Sequence, residues 1–483
     1  MKRLFKITTT LGFANSLAFI GSLIKNKLIA IFLGTAGMGV ISQLNSFLNL
    51  LSNLGTLGMQ QGVAKFSSSC MLNGKKEKIG SENILSTALF LAGAISLVLL
   101  ILAMSFNKTV SSWIFSDDSY GNGVIVAAFA APFVAFAAIF NYYFKGVGNI
   151  NLLFKSAVLS SAIGLAVSFL LILAWKVNGA VFQIFTTAFI SFLVFYLFFH
   201  FLPGCKKVFN MPESGCFRPV AKELLRHGSV IYVSNLLLPL SLLIVRSMVI
   251  KNFGIEQNGI FQSIVLISAI VISFPSEALW AGYFPEISRE KNQENQKRIL
   301  MHFIDFLIFI AIPAIMFVVV FQKIIINLLF SSHFASAVLY LPVRLFGDFV
   351  YMLGWPVGLI FFANSLLGEV LFFSVLWNFL LVAFSVFFIK VFGFSGIFIA
   401  YVAACLIILI LQLMFLGKRT GIVVGHKGLL RISLAIISAG LICLIAQNRL
   451  SFGLYLLPIT IWFYLFLQKF KLGLQRLFYA GKQ

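Results

Sequence analysis

A chain of 483 residues that is 60% hydrophobic and 10% charged lies far from soluble composition, in which about half of the residues are apolar and about a quarter charged. Phenylalanine alone occurs 56 times and the mean hydropathy is +1.02, so lipid must solvate much of the surface. The net charge of +22, from 36 Lys and Arg against 14 Asp and Glu, sits between long apolar runs. That is the pattern of cytoplasmic membrane loops, not of a nucleic-acid-binding face.

A membrane-crossing helix needs about 20 mostly apolar residues. Fourteen such segments are expected, near 8–33, 40–64, 83–106, 121–144, 152–174, 179–201, 226–250, 259–284, 301–321, 336–362, 367–389, 396–416, 429–446 and 452–468. The fold class is therefore an all-α polytopic membrane protein. The first segment follows a basic start and is too long for a cleaved signal, so it is expected to remain as a helix. If the N-terminus is cytoplasmic, 26 basic residues fall on that side and six on the other: Lys108, Lys176, Lys251, Lys323, Lys390 and Arg449. This asymmetry places both termini in the cytoplasm. The longest loop, near 203–225, carries Pro203, Gly204, Pro212, Gly215 and Pro219 and reads as a cytoplasmic linker. The expected organisation is a six-helix lobe over 1–203, a linker over 204–225, a second six-helix lobe over 226–417, and a further helix pair with a basic tail over 418–483.

The two lobes repeat. At a constant offset of 220, Gly34, Gly39, Gly62, Ser68 and Gly148 recur as Gly254, Gly259, Gly282, Ser288 and Gly368, and Asn15 recurs as Asn235. At an offset of 217, NGAVF from Asn178 matches SGIFI from Ser395. Tight turns are expected over Gly34–Gly39 and Gly254–Gly259. Duplicated six-helix halves of like orientation are the plan of secondary transporters, whose substrate path runs between the repeats.

Polar residues within the spans mark candidate sites. Asn45, Asn49, Ser52, Asn53, Thr56 and Gln60 follow helical spacing on one face, more than a packing seam needs, and are expected to line a water-filled cavity. In the first span Asn15, Ser22 and Asn26 share a stripe with Lys25 at its edge, whereas Lys27 points away. In the seventh, Asn235 and Arg246 form the same stripe, and the offset of 220 lays Arg246 on Asn26. An intramembrane cation costs about 2.5–3.5 kcal/mol. Lys25 and Arg246, with Asn26, therefore read as an anion site, snorkelling being the alternative for Lys25. Arg344 and Asp348 lie one turn apart and can form a structural ion pair. Arg344 also joins the anion-binding candidates, and Asp348 joins Asp305 and Glu277 as possible ion-coupling carboxylates.

No GxxxxGK[ST] loop, HExxH or GxSxG motif occurs, and the five cysteines show no CxxC pairing. Neither an enzyme, a cofactor nor a metal is expected. A basic start, a cationic first helix and the stretch LIAIFLGTAGMGVISQLNSFLNLLSNLGTLGMQQGVAKFSS resemble the opening of Wzx-type O-antigen flippases, in the multidrug/oligosaccharidyl-lipid/polysaccharide exporter superfamily. The resemblance is clearest over 10–70 and returns over 240–290. It implies a V-shaped, MATE-like bundle in the bacterial inner membrane. This bundle would carry undecaprenyl-diphosphate-linked oligosaccharide outward, with membrane lipid and other O-antigen assembly proteins, such as a polymerase and a chain-length regulator, as partners. Lys25 and Arg246 match by helix and depth the cationic positions of such flippases. Two rivals stand beside this reading. A multidrug extruder of the same superfamily should carry acids where these first helices carry cations, and a polymerase or ligase should have a long periplasmic loop where these loops are short.

Overall fold

The computed structural model describes the backbone of residues 2–73, 81–201, 214–447 and 452–464, and among them every regular element is helical. The first repeat comprises α1 (Lys2–Thr56), α2 (Met59–Asn73), α3 (Ser81–Ser105), the short α4 (Asn107–Phe115), α5 (Gly121–Val147) and α6 (Ile150–His200). The second comprises α7 (Ser214–Phe253), α8 (Ile255–Ala278), a π-helical turn at Leu279–Tyr283, α9 (Phe284–Arg289), α10 (Gln293–Val320), α11 (Gln322–Leu329), α12 (Leu341–Ala363), α13 (Leu367–Phe392) and α14 (Ser395–Thr420), and α15 (His426–Gln447) follows.

Eleven described helices are long and apolar enough to cross a membrane. Two of these are broken: α1 at Gly34 (φ 65°, ψ −160°) and α6 at Lys176 (φ 47°, ψ −119°). Counting both halves of each gives thirteen of the fourteen expected crossings. The last, near 452–468, begins as a 3-10 turn at Phe452–Tyr455 and leaves the described residues after Tyr464. Of the expected linker over 204–225, residues 204–213 lie outside the described residues, and the chain is helical from Ser214. Pro219, the sixth residue of α7, costs that helix one N–H bond without ending it.

Caps explain several boundaries. Asn149 accepts the Leu152 N–H at the start of α6, and Asn292 accepts those of Glu294 and Asn295 at the start of α10. Gly148 (φ 72°) and Gly421 (φ 70°) close α5 and α14 in the left-handed region, which glycine enters without a Cβ penalty.

The chain divides into two compact units, Met1–Gln262 with Leu329–His333, and Ser263–Leu328 with Phe334–Gln483. In the first, the small residues Ala127, Ala128, Ala130, Ala131 and Ala135 are buried along α5 and let backbones approach, as membrane packing requires. An aromatic core of Phe140, Tyr143, Phe144 and Phe199 closes over Val220 and Leu224 of α7, with Tyr143 and Phe199 edge-to-face at 5.6 Å. In the second, α12 packs on α14 and α15, and α10 on α12 and α15. The Phe309–Trp462 stack at 5.6 Å and the bond from Ser438 to the Pro458 carbonyl at 3.1 Å fasten the C-terminal helices. Large apolar side chains such as Trp113, Leu170, Phe379 and Phe387 stay exposed, as a lipid-facing surface requires.

The repeat survives in backbone detail. The breaks at Gly34 and at Gly254 (φ 89°) are 220 residues apart, and those at Lys176 and Gly393 (φ 60°) are 217 apart. A Cβ at Gly179 would lie 1.9 Å from the Leu171 carbonyl oxygen, and one at Gly396 would lie 2.1 Å from that of Phe388. Both pairs keep the 217 offset. The Gly148–Gly368 match fails in backbone, because the positive φ of the second repeat falls on Ser365 while Gly368 lies within α13.

Candidate functional site

The expected turns over Gly34–Gly39 and Gly254–Gly259 each shrink to one residue, since Gly34 and Gly254 alone take positive φ there. Gly39 and Gly259 serve another purpose. A Cβ on Gly39 would sit 2.0 Å from the Ile255 carbonyl oxygen, and one on Gly259 would sit 2.0 Å from that of Thr35. Adding 220 to Thr35 and Gly39 gives Ile255 and Gly259, so the two turns pack reciprocally about a local pseudo-twofold axis. Only glycine allows such backbone proximity.

Arg246 pins this junction. It is 4% exposed, donates to Ser42 Oγ at 3.0 Å and Asn258 Oδ1 at 3.2 Å, and also bonds the Gln262 side chain. Its guanidinium lies 5.2 Å from the centre of the Phe261 ring. Asn258 in turn donates to the Gly39 carbonyl at 2.8 Å, and Gln43 donates to Ser247 Oγ at 3.0 Å and the Ile114 carbonyl at 2.8 Å. The arginine thus stitches α7 to α1 and α8 through neutral acceptors.

Lys25 lies elsewhere. It borders a cavity of about 150 Å³ between α1 and both halves of α6, with Ser22, Ser160, Ser161, Thr187 and Ser191 in its wall. No carboxylate among the described residues pairs with it. Asn26 is occupied within its own helix, donating to the Ser22 carbonyl at 2.8 Å. Lys25 and Arg246 therefore sit at similar depth, nine and eight residues before Gly34 and Gly254, in separate surroundings. The side chain of Asn15 lies outside the described residues, and Asn235 is exposed on α7.

The stripe on α1 splits. Asn49 is exposed and Asn45 and Asn53 half-buried, while Ser52 and Thr56 are buried and bond backbone carbonyls one turn earlier. The chain leaves helical geometry at Leu57 and Gly58, so Gln60 belongs to α2 and no longer continues the face of Asn45.

In the second unit, Arg344 Nε lies 3.1 Å from Asp348 Oδ1 and donates to Ser268 Oγ at 3.2 Å. Tyr401 donates to the same carboxylate oxygen at 3.0 Å and places its ring 3.7 Å below the guanidinium. Asp348 is fully buried and Arg344 is 13% exposed, so the expected ion pair forms. Asp305 has a partner that sequence reasoning did not find, Arg431 of α15 at 3.5 Å. Glu277 is exposed near the end of α8. Sequence reasoning also missed Tyr401 and the hydroxyls of α6. The i, i+4 spacing of Thr187 and Ser191 was the available signal for the latter.

The family described as "Polysaccharide biosynthesis protein" matches residues 4–291, more than half of the chain. The chain belongs to this family. Among curated proteins it is similar to stage V sporulation protein B of Bacillus subtilis (strain 168), at 24% identity over 157 residues, or 32% of this chain and 28% of that protein. The match therefore spans less than a third of that relative's length. Among solved structures it is similar to the lipid II flippase MurJ in an inward closed conformation, with TM-score 0.72 and 14% identity over 97% of this chain and 99% of that one. It is also similar to a multidrug resistance MATE family transporter of the MOP superfamily. The inward-facing form gives TM-score 0.72 and 16% identity over 84% of this chain and 94% of that one. The outward-facing form gives 0.61 and 16% over 86% and 95%. These likenesses establish the fold, a multi-pass all-α bundle of the MATE type.

Proposed function

We propose that this polysaccharide biosynthesis protein is a flippase of the inner membrane with both termini in the cytoplasm. It carries an undecaprenyl-diphosphate-linked oligosaccharide, an O-antigen repeat unit, from the cytoplasmic to the periplasmic leaflet. The observation that supports this best is Lys25, an intramembrane cation beside a hydroxyl-lined cavity with no carboxylate partner among the described residues. Lysine binds phosphate oxygens through charge-assisted hydrogen bonds, and the serine and threonine hydroxyls can complete the shell. A multidrug extruder would need acids to hold organic cations. On the described spans from Ile20 to Ala278, carboxylates occur only within two residues of a span end, at Glu82, Asp118, Glu256 and Glu277.

Alternating access supplies the movement in this reading. The two six-helix lobes, 1–203 and 226–417, rock about the substrate, and the reciprocal contact of Gly39 and Gly259 is the closed outer gate. Arg246 then serves the gate, while Lys25 serves the anion. The test is loss of surface polysaccharide in cells. Lys25→Ala should abolish it at unchanged membrane abundance, Lys25→Arg should retain most of it, and Lys27→Ala should be mild. Full export by Lys25→Ala would sink the proposal.

A further inference from the structure

Gly62 and Gly282 are repeat equivalents with opposite environments. A Cβ on Gly62 would meet Leu224 Cδ2 at 2.9 Å, because the start of α7 seats that leucine in the notch. A Cβ on Gly282 would meet nothing within 4 Å. The second notch opens instead into a cavity of about 610 Å³, a ligand-sized volume. The helix after the second repeat, α15, packs on α10 and α12 and contributes no residue to the cavity wall. Gly282 lies in the π-helical turn Leu279–Tyr283, an irregularity frequent at functional sites.

The walls carry three chemistries. Arg298 and His302 stand one turn apart on α10 and both line the cavity. His302 Nδ1 lies 2.9 Å from the Arg298 carbonyl. A carbonyl only accepts, so that nitrogen carries the proton and Nε2 is left for a ligand. Glu286 of α9 is exposed and lines the same cavity, and no described residue forms an ion pair with it or with Arg298. Tyr283 and Phe303 stack at 4.7 Å, and the tyrosine hydroxyl is committed to the Pro356 carbonyl at 2.9 Å, so the ring is a fixed wall.

We propose that this cavity is a binding site for the glycosyl diphosphate headgroup of a polyprenyl-linked sugar. Arg298 holds the diphosphate, Glu286 and His302 Nε2 accept hydroxyl donors of the sugar, and the half-buried Phe303, backed by the buried Tyr283, covers a C–H face of the ring. An ordinary anionic phospholipid would use Arg298 but has no need of an opposed carboxylate. By alternation of the crossings the cavity lies on the side of the N-terminus. This proposal rests on the flippase reading, in which that side is the cytoplasm, where the substrate is made. The site is then a loading site distinct from Lys25.

The experiment is titration of the full-length protein, in phosphatidylcholine nanodiscs, with farnesyl-diphosphate-linked N-acetylglucosamine. Gly282→Leu, which copies the plug of the first repeat, and Arg298→Ala should each weaken binding about tenfold or more, with thermal stability unchanged. Glu286→Gln should weaken the glycosylated probe and leave farnesyl diphosphate unaffected. Phosphatidylglycerol and inorganic pyrophosphate should compete poorly. Parental affinity in Gly282→Leu and Arg298→Ala would overturn the site, and so would equal competition by phosphatidylglycerol or absence of binding to the parent protein. Transport of the same probe in liposomes separates the two readings. If the parent moves it while the cavity variants bind normally, the flippase reading stands and this site falls.

Discussion

The gate reading makes its sharpest prediction at Gly39. Alanine is the better helix former by about 1 kcal/mol, so propensity alone would make Gly39→Ala stabilising. The junction forbids it. The added Cβ would lie 2.0 Å from the Ile255 carbonyl oxygen, whereas carbon–oxygen contacts normally begin at about 3.3 Å. The two turns must therefore separate by about 1.3 Å. That displacement breaks the bond from Asn258 to the Gly39 carbonyl at 2.8 Å and loosens Arg246 from Ser42 at 3.0 Å. Overpacking of this kind costs about 1–3 kcal/mol, which corresponds to a shift of about 5- to 150-fold against the closed gate. Because contacts pair Gly39 with Ile255 and Thr35 with Gly259, the half-buried Thr35 and Ile255 flank the local axis. With Thr35→Cys and Ile255→Cys installed, a short, cleavable bifunctional thiol reagent should cross-link the parent and block export until cleaved. Adding Gly39→Ala should slow cross-linking about tenfold. An unchanged rate, or full export by cross-linked protein, would refute the reasoning.

Two further outcomes test the packing. Lys176 holds φ 47° where its repeat equivalent is Gly393, so Lys176→Gly should raise thermal stability by relieving strain of about 1–3 kcal/mol. Gly179→Ala should lower it, since its Cβ would lie 1.9 Å from the Leu171 carbonyl oxygen. At the ion pair, Arg344→Ala or Asp348→Ala alone should cost about 3–5 kcal/mol by stranding a buried charge, and the paired replacement Arg344→Met with Asp348→Leu should cost far less. Denaturation in detergent reads both, and additive single effects at the pair would count against the buried coupling.

The spans and the repeat were legible because they are one-dimensional properties: apolar length, and glycines at a fixed offset. The Arg344–Asp348 pair was legible for the same reason, as both partners lie on one helical turn. Contacts across the chain were not. Arg431 reaches Asp305 from 126 residues away, and no spacing rule joins them. The stripe from Asn45 to Gln60 failed at Leu57, where left-handed backbone on a leucine ends a helix that the polar pattern continued through. Arg246 was read by its charge and depth alone. Its role follows from Ser42, Asn258 and Gln262, neutral residues that carry no signal of their own.

Duplication explains the fold, and departure from it locates the chemistry. Where the repeats agree, as at Gly39 with Gly259 and Gly179 with Gly396, the glycine is filled by a carbonyl and the backbone packs closely. Where they differ, the chain has put different side chains at equivalent depth. Position 26 is Asn and its counterpart Arg246, and the cation of the first repeat stands at Lys25, one residue and about 100° around the helix. That rotation turns the lysine toward the hydroxyls of α6, while Arg246 is held against α1 and α8. The notch at Gly62 is closed by Leu224, and the notch at Gly282 is open. A symmetric carrier would present the same surface twice. Here one repeat is closed by its own helix and the other is lined with Arg298, His302 and Glu286, an asymmetry that packing alone does not require.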